Sequence, residues 1–167
     1  MFQLAHLVPS IILFAGLVDD LRSRKVHNWL VLSAMVFAIV GTYFLGGGFD
    51  GLKEGLLGCG VAIALMLPMV LLGMLGAGDM KLMMAFGLST DTTTVLWVVI
   101  YSFIWGAILG LIRALLQKEG WNLLKNMFLI LKGKKREEIK YHKIPFTVAL
   151  FFGWLTHLSL QASGGLL

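Results

Sequence analysis

The chain has 167 residues and a net charge of +5, with 58% hydrophobic and only 14% charged residues. This composition excludes a soluble globular protein, and the long uncharged runs predict a polytopic all-α protein embedded in a lipid bilayer. The positive charge does not indicate a nucleic-acid partner, because lysine and arginine cluster beside the apolar runs and no soluble segment remains for such a site. The length fits a single membrane-embedded domain over residues 1–167.

Few side chains in the sequence could hold a metal ion or form a disulfide. Cys59 is the only cysteine and lies inside an apolar run, which excludes a disulfide framework and a cysteine zinc site. The histidines lie on separate segments without metal-ligand spacing, so we predict no metal site and no cofactor. No serine or cysteine nucleophile with a partner base is apparent. The four histidines are His6, His27, His142 and His157.

The first half of the chain predicts three membrane helices. Helix one covers about residues 2–18, and we keep it as a spanning helix because it lacks the positive n-region of a cleaved signal peptide. A charged loop, residues 19–28, separates it from helix two at about 29–45. A glycine-rich turn at 46–51 then leads into helix three, at about 52–75.

The second half predicts three more helices and one interfacial helix. Helix four begins near Met80 and is short, because only nine uncharged residues separate Lys81 from Asp91; such an element must be shielded by protein or line a wet cavity. Helix five covers about 93–115 and helix six about 144–160. Between them, residues 116–143 form a loop in which apolar side chains at helical spacing predict an amphipathic interfacial helix. Those side chains are Trp121, Leu124, Phe128 and Leu131.

The charge distribution orients these six helices. Of the 14 lysine and arginine residues, 13 fall in the segments 19–28, 75–81 and 113–143, and only Lys53 falls on the other side. The positive-inside rule therefore predicts that these three segments are cytoplasmic and that both termini lie outside. No internal repeat indicates an inverted-repeat transporter.

Two carboxylates stand out in this topology because both lie at the cytoplasmic edge of apolar segments. A charged side chain at such a depth is costly and by default functional, which singles out Asp79. Asp20 lies at the same membrane edge, and Asp19 differs from it by about 100° around a helix, so only one of that pair can face the interior. Two close carboxylates share one proton, and such a pair can activate a water for peptide hydrolysis. We predict that Asp79, placed just before a helix start and near Lys81, is the charged member.

Simpler interpretations exist for each feature taken alone. An aspartate before a helix is often an N-cap, and a solvated loop could pair Asp19 and Asp20 with neighbouring cations. We expect Gly76 and Gly78 to adopt positive φ in the turn and to let a substrate backbone approach closely.

Three short segments, in this order, resemble the motifs of one family. Asp20-Leu-Arg-Ser-Arg-Lys-Val-His-Asn28 resembles the D-x-R-x-x-x-I-P-N motif of short type IV prepilin leader peptidases. Gly76-Ala-Gly-Asp-Met-Lys-Leu82 resembles their G-x-G-D-x-K-L motif, and Ile144-Pro-Phe146 resembles their late I-P-F segment. The order and spacing of the three segments, and the predicted topology, agree with the family along essentially the whole chain.

This resemblance implies a metal-independent aspartic endopeptidase of the cytoplasmic membrane. Such an enzyme removes the short basic leader of prepilin-like partner proteins, cutting after a glycine at the cytoplasmic face. Asp20 and Asp79 match the catalytic positions, Gly76 and Gly78 the motif glycines, and Lys81 and Asn28 supporting positions.

The chain also departs from the family pattern. His27 replaces the usual proline, which affects the expected geometry of the loop. The cysteine-bearing insert of long family members is missing, so we predict no N-methyltransferase activity. The short form resembles the peptidases of Flp/Tad-type pili, and archaeal preflagellin peptidases are related.

Two other functions stay open on the sequence. A small cation channel or carrier could use the intramembrane carboxylates as ion ligands, and Asp79→Asn would then alter ion flux. A structural membrane subunit could hold both carboxylates in ion pairs. The sequence leaves the oligomeric state open.

Overall fold

The computed structural model describes residues 6–116 and 146–164, and within these ranges it contains helices and turns and no strand. The predicted all-α class is therefore confirmed. Most of the predicted loop at 116–143, with its amphipathic helix, lies outside the described residues, as do Ile144 and Pro145. The helices are α1 Leu7–Ser23, α2 Asn28–Leu45, α3 Phe49–Leu71, α4 Ala77–Leu88, α5 Thr92–Leu116 and α6 Phe146–Ala162.

Three of these helices are long and apolar enough to cross a membrane: α2, α3 and the part of α5 at Thr92–Ile112. The other three are shorter, with 17 residues in α1 and α6 and 12 in α4. At about 1.5 Å per residue, α4 is about 18 Å long, against about 30 Å for the hydrocarbon core of a bilayer. The polytopic membrane class and the short fourth helix are both confirmed.

The end of α1 differs from the prediction, which stopped this helix at residue 18. The helix continues to Ser23, so Asp19 and Asp20 lie in its last turns and not in a loop. It ends where Arg24 adopts a left-handed conformation, φ 54°, and its N–H donates to the Asp20 carbonyl oxygen at 2.7 Å. Charged residues mark the edge of the membrane, but they do not break a helix, and residues 17–24 contain no glycine or proline that would end it earlier.

The start of α4 was also predicted too late, at Met80. α3 ends at Leu71, three residues after Pro68, and a turn with Gly73 at φ 70° follows. Proline weakens the helix around it, and glycine readily adopts positive φ, so the chain turns earlier than the apolar run ends. α4 begins at Ala77, which makes Asp79 its third residue.

The short α4 is enclosed by its neighbours, which confirms the expected shielding. Its backbone approaches α3 so closely that a Cβ built on Gly87 would lie 2.7 Å from the Gly58 carbonyl carbon. From α2, the Thr42 hydroxyl donates to the Leu88 carbonyl oxygen at 2.9 Å. Half of the residues of α4 are buried, namely Asp79, Leu82, Met83, Ala85, Phe86 and Gly87.

Candidate active site

The end of α1 and the start of α4 lie at one end of the helix bundle. Val26, just after α1, packs against the first turn of α4, where a Cβ built on Gly78 would lie 3.1 Å from the Val26 Cβ. In the same region the Lys81 Nζ donates to Asn28 Oδ1 at 2.9 Å, which joins α4 to the first residue of α2. We call this the aspartate end of the bundle.

Asp20 reaches this end from α1. It continues a buried stripe at helical spacing, Pro9, Leu13 and Gly16, and its own residue is 7% exposed. Its Oδ2 accepts a hydrogen bond of 2.6 Å from the hydroxyl of Thr147, on α6. Asp20 is therefore held inside the bundle by two helices.

Asp79 reaches the same end from α4. It is 9% exposed, and its Oδ2 accepts the backbone N–H of Gly76 at 3.3 Å. Its own N–H donates to the Gly76 carbonyl oxygen at 3.1 Å. The carboxylate is thus in the first turn of the helix, not ahead of it as predicted, and still at the positive end of the helix dipole.

The packing of α1 against α4 brings the two carboxylates to the same level of the bundle. The two helices meet at Gly16, where a Cβ would overlap the Leu82 side chain. Asp20 lies four residues beyond Gly16, and Asp79 lies three residues before Leu82, each toward the aspartate end. At about 1.5 Å per residue, both are roughly one helical turn, about 5 to 6 Å, beyond that contact.

Asp19 occupies a different environment from Asp20. Its Oδ2 accepts the backbone N–H of His27 at 2.8 Å, and its Oδ1 lies 2.9 Å from the His27 ring Nδ1. His27 is the N-cap residue of α2, so Asp19 ties the end of α1 to the start of α2. Only one carboxylate of the pair faces the bundle interior, as the helical spacing predicts.

A family model described as the type IV leader peptidase family matches residues 7–111. The match covers more than half of the chain and includes the helices that carry Asp20 and Asp79. The chain belongs to the type IV leader peptidase family. No curated protein and no solved structure matches the chain.

The motif glycines of this type IV leader peptidase do not have the conformation predicted for them. Gly76 has φ −76°, and Gly78 lies inside α4, so neither has positive φ. The space around them explains the absence of side chains instead. A Cβ on Gly76 would lie 3.1 Å from Asp79 Oδ2, and one on Gly78 would press on Val26.

His27 fits the backbone that the usual proline of the family would adopt. Its φ of −72° and ψ of 140° lie in the range that a proline ring imposes. The replacement therefore preserves the geometry of the loop and adds two hydrogen-bonding groups, the backbone N–H and the imidazole, both directed at Asp19.

Thr147 is the site residue that the sequence did not indicate. It is 1% exposed and follows Phe146, the last residue of the late motif. A threonine in an apolar helix carries no periodic or spacing signal, and it lies 127 positions from Asp20 in the peptidase chain. Only the packing of α6 against α1 reveals this contact.

Within residues 6–116 and 146–164, the peptidase has no group of side chains that could hold a metal ion. No three side chains of histidine, cysteine, aspartate or glutamate converge there.

Proposed function

We propose that this membrane peptidase is an aspartic endopeptidase that removes the short basic leader from prepilin-like proteins. It cuts after a glycine at the cytoplasmic face of the membrane, and Asp20 and Asp79 act together on one water molecule. The proposal includes no N-methyltransferase activity and no cofactor.

One observation carries this proposal: two buried carboxylates lie at the same end of the bundle on neighbouring helices. Burying one carboxylate costs several kcal/mol unless it is paired or hydrogen-bonded, and two of like charge at the same level cost more. A fold that buries both carboxylates in spite of this cost in free energy indicates that both have a function. A purely structural N-cap explains Asp79 alone, but it does not explain the buried Asp20 one helix away.

The helix dipoles suggest how the two carboxyl groups divide the work. Asp79 lies in the first turn of α4, where unpaired N–H groups favour an anion, whereas Asp20 lies near the negative end of α1. We therefore assign Asp79 as the base and Asp20 as the acid. Asp79 accepts a proton as the water oxygen bonds to the scissile carbonyl carbon, and Asp20 donates its proton to the carbonyl oxygen. When the tetrahedral intermediate breaks its C–N bond, Asp79 returns the proton to the leaving amine, and Asp20 recovers its own.

The position of the carboxylates along α1 and α4 agrees with this substrate class. A prepilin-like protein joins a polar, basic leader to an apolar helix, so its cut site lies at the surface of the membrane. Asp20 lies where the buried stripe of α1 ends and the exposed residues 21–25 begin. The hydrogen bond that Lys81 Nζ donates to Asn28 Oδ1 joins the starts of α2 and α4 at that boundary.

The experiment is the processing of a co-expressed prepilin-like substrate, followed by immunoblot of precursor and mature forms. We expect Asp20→Ala and Asp79→Ala each to abolish processing, while the protein still accumulates in the membrane. Asp19→Ala is the matched control, because it removes an adjacent carboxylate that faces His27 instead of the interior. Mature product from either Asp20→Ala or Asp79→Ala at the wild-type rate would overturn the proposal.

A further inference from the structure

A hydrogen bond from outside the matched family region reaches one of the two aspartates. The Thr147 hydroxyl donates to Asp20 Oδ2 at 2.6 Å, and both residues are buried. The family match ends at residue 111, before α6 begins. None of the three sequence motifs includes Thr147.

The position of Thr147 is determined by the packing of α6 on α1. The buried side chains of α6 recur at helical spacing, from Thr147 through Leu150 to Trp154. Two turns beyond Thr147, the Trp154 Nε1 donates to Ser10 Oγ at 2.9 Å, and Phe86 of α4 packs edge-on against the Trp154 ring at 5.2 Å. The threonine hydroxyl therefore lies on the buried face of α6, which packs against α1 and α4 and so gives the contact to Asp20 a defined position.

A short hydrogen bond of this kind makes the two oxygens of Asp20 different. While the Thr147 hydroxyl donates to Oδ2, the proton of the neutral carboxylic acid is on Oδ1. The bond also restricts rotation of the carboxyl group, which would otherwise move the acidic proton away from the scissile carbonyl.

We propose that Thr147 is a positioning residue for Asp20: it holds the carboxyl group in one orientation and leaves Oδ1 as the oxygen that carries the catalytic proton. This inference rests on the proposed two-aspartate mechanism. Thr147 itself does not touch the reacting atoms. Its effect is on the chemical step, because the docking of the substrate does not require a particular oxygen of Asp20 to hold the proton.

The test compares two pairs of proteins, and within each pair only one member has a hydroxyl at residue 147. The pairs are wild type with Thr147→Val, and Thr147→Ser with Thr147→Ala. Each full-length protein is purified in detergent micelles and assayed on a prepilin-like substrate that keeps its leader and apolar helix. For Thr147→Val we expect kcat to fall about tenfold to a hundredfold, the size of effect that misplacement of a catalytic group produces, with KM within about twofold. Thr147→Ser retains the hydroxyl and should retain most of the activity, while Thr147→Ala should lose it.

The outcomes separate this inference from the function on which it rests. If wild-type protein cleaves the substrate and Asp20→Ala does not, but Thr147→Val keeps the wild-type kcat, the inference is wrong and the proposed function stands. If Thr147→Val does not fold, judged by its thermal melt, the Ser and Ala variants decide: equal kcat values overturn the inference. If wild-type protein cleaves no prepilin-like substrate, the proposed function itself fails.

Discussion

Adjacent aspartates in this chain have different surroundings because one step along a helix changes the direction of a side chain by about 100°. Asp20 points into the bundle and meets Thr147, while Asp19 points to the start of α2 and meets His27. The chemistry of each carboxyl group follows from these partners. One is held inside the bundle, where we propose that the reaction takes place, and the other holds a loop in place.

The role of Asp19 can be measured directly. Asp19→Ala removes the acceptor of the His27 N–H, a capping contact of the kind that contributes about 1 kcal/mol to the free energy of unfolding. We expect a lower melting temperature in detergent and a processing rate that stays above about a third of wild type, because no reacting atom is displaced. Loss of processing equal to that of Asp20→Ala would show that the catalytic assignment within the pair is wrong.

His27→Pro tests the conformation of the same loop. The His27 backbone already has the φ of a proline, so the ring should fit without strain. The loss of the N–H and imidazole contacts to Asp19 destabilises the protein, and the more restricted unfolded chain stabilises it, each effect on the order of 1 kcal/mol. We therefore expect near-wild-type processing and stability. A severe loss of processing would mean that the His27 N–H or imidazole has a role in the reaction.

At the scale of elements, the site depends on how closely α4 approaches its neighbours. Two glycines of α4 make this possible, Gly78 against Val26 and Gly87 against Gly58. The first lies one residue before Asp79. Any displacement of that turn therefore moves the proposed catalytic base.

Gly78→Ala should lower the processing of substrate without lowering the stability of the protein. The new Cβ would lie 3.1 Å from the Val26 Cβ, which is attached directly to the backbone and cannot rotate away. Alanine also favours a helix over glycine by about 1 kcal/mol, so we expect little change in the melting temperature but at least about a tenfold fall in processing. Gly60→Ala is the matched control, because a Cβ there meets nothing within 4 Å. Equal processing by the two variants would contradict the steric explanation for Gly78.

The helices themselves could be predicted from the sequence, and so could the ends of α2 and α5, to within one residue. The ends of α1 and α3 and the start of α4 could not. Apolar runs report which residues are in the hydrocarbon core, whereas helix ends depend on local backbone conformation, such as the left-handed Arg24 and the turn at Gly73. For this reason α1 extends past its apolar run to include Asp20, and α3 stops before its run is complete.

The residues of the candidate site could also be predicted from the sequence only in part. Asp20 and Asp79 could be found from their charge and their motifs, because a carboxylate at the membrane edge is rare. The steric need for a glycine at Gly78 and the hydrogen bond from Thr147 could not be found from the sequence, because both depend on which helices pack together. Long-range packing of that kind has no counterpart in local sequence patterns.

At the scale of the whole molecule, the proposed site lies on helices whose described parts are shorter than the three candidate spans. α1, α4 and α6 carry Asp20, Asp79 and Thr147, and their described parts have 17, 12 and 17 residues. A short helix in a bilayer draws the polar surface inward or leaves a wet space beside it. The proposed hydrolysis needs water at the carboxylates, and a wet space beside the short α4 would supply it.

The orientation of this bundle in the membrane can be tested by chemical labelling. Cys59 is the only cysteine, so Cys59→Ala provides a background in which single cysteines report their own position. Lys25 lies at the aspartate end, in the loop between α1 and α2, and Asp50 lies in the first turn of α3 at the opposite end; both are exposed. Because the predicted topology assigns 13 of the 14 lysine and arginine residues to the side of Lys25, the positive-inside rule predicts that this side is cytoplasmic.

A membrane-impermeant maleimide should therefore label Asp50→Cys in intact spheroplasts and label Lys25→Cys only after the membrane is permeabilised. Each variant must still process a prepilin-like substrate, which shows that its fold is preserved. Labelling of Lys25→Cys in intact spheroplasts would place the carboxylates on the outer face. A basic leader that has not crossed the membrane could not reach them there, so that result would contradict cytoplasmic cleavage even if both aspartates proved essential.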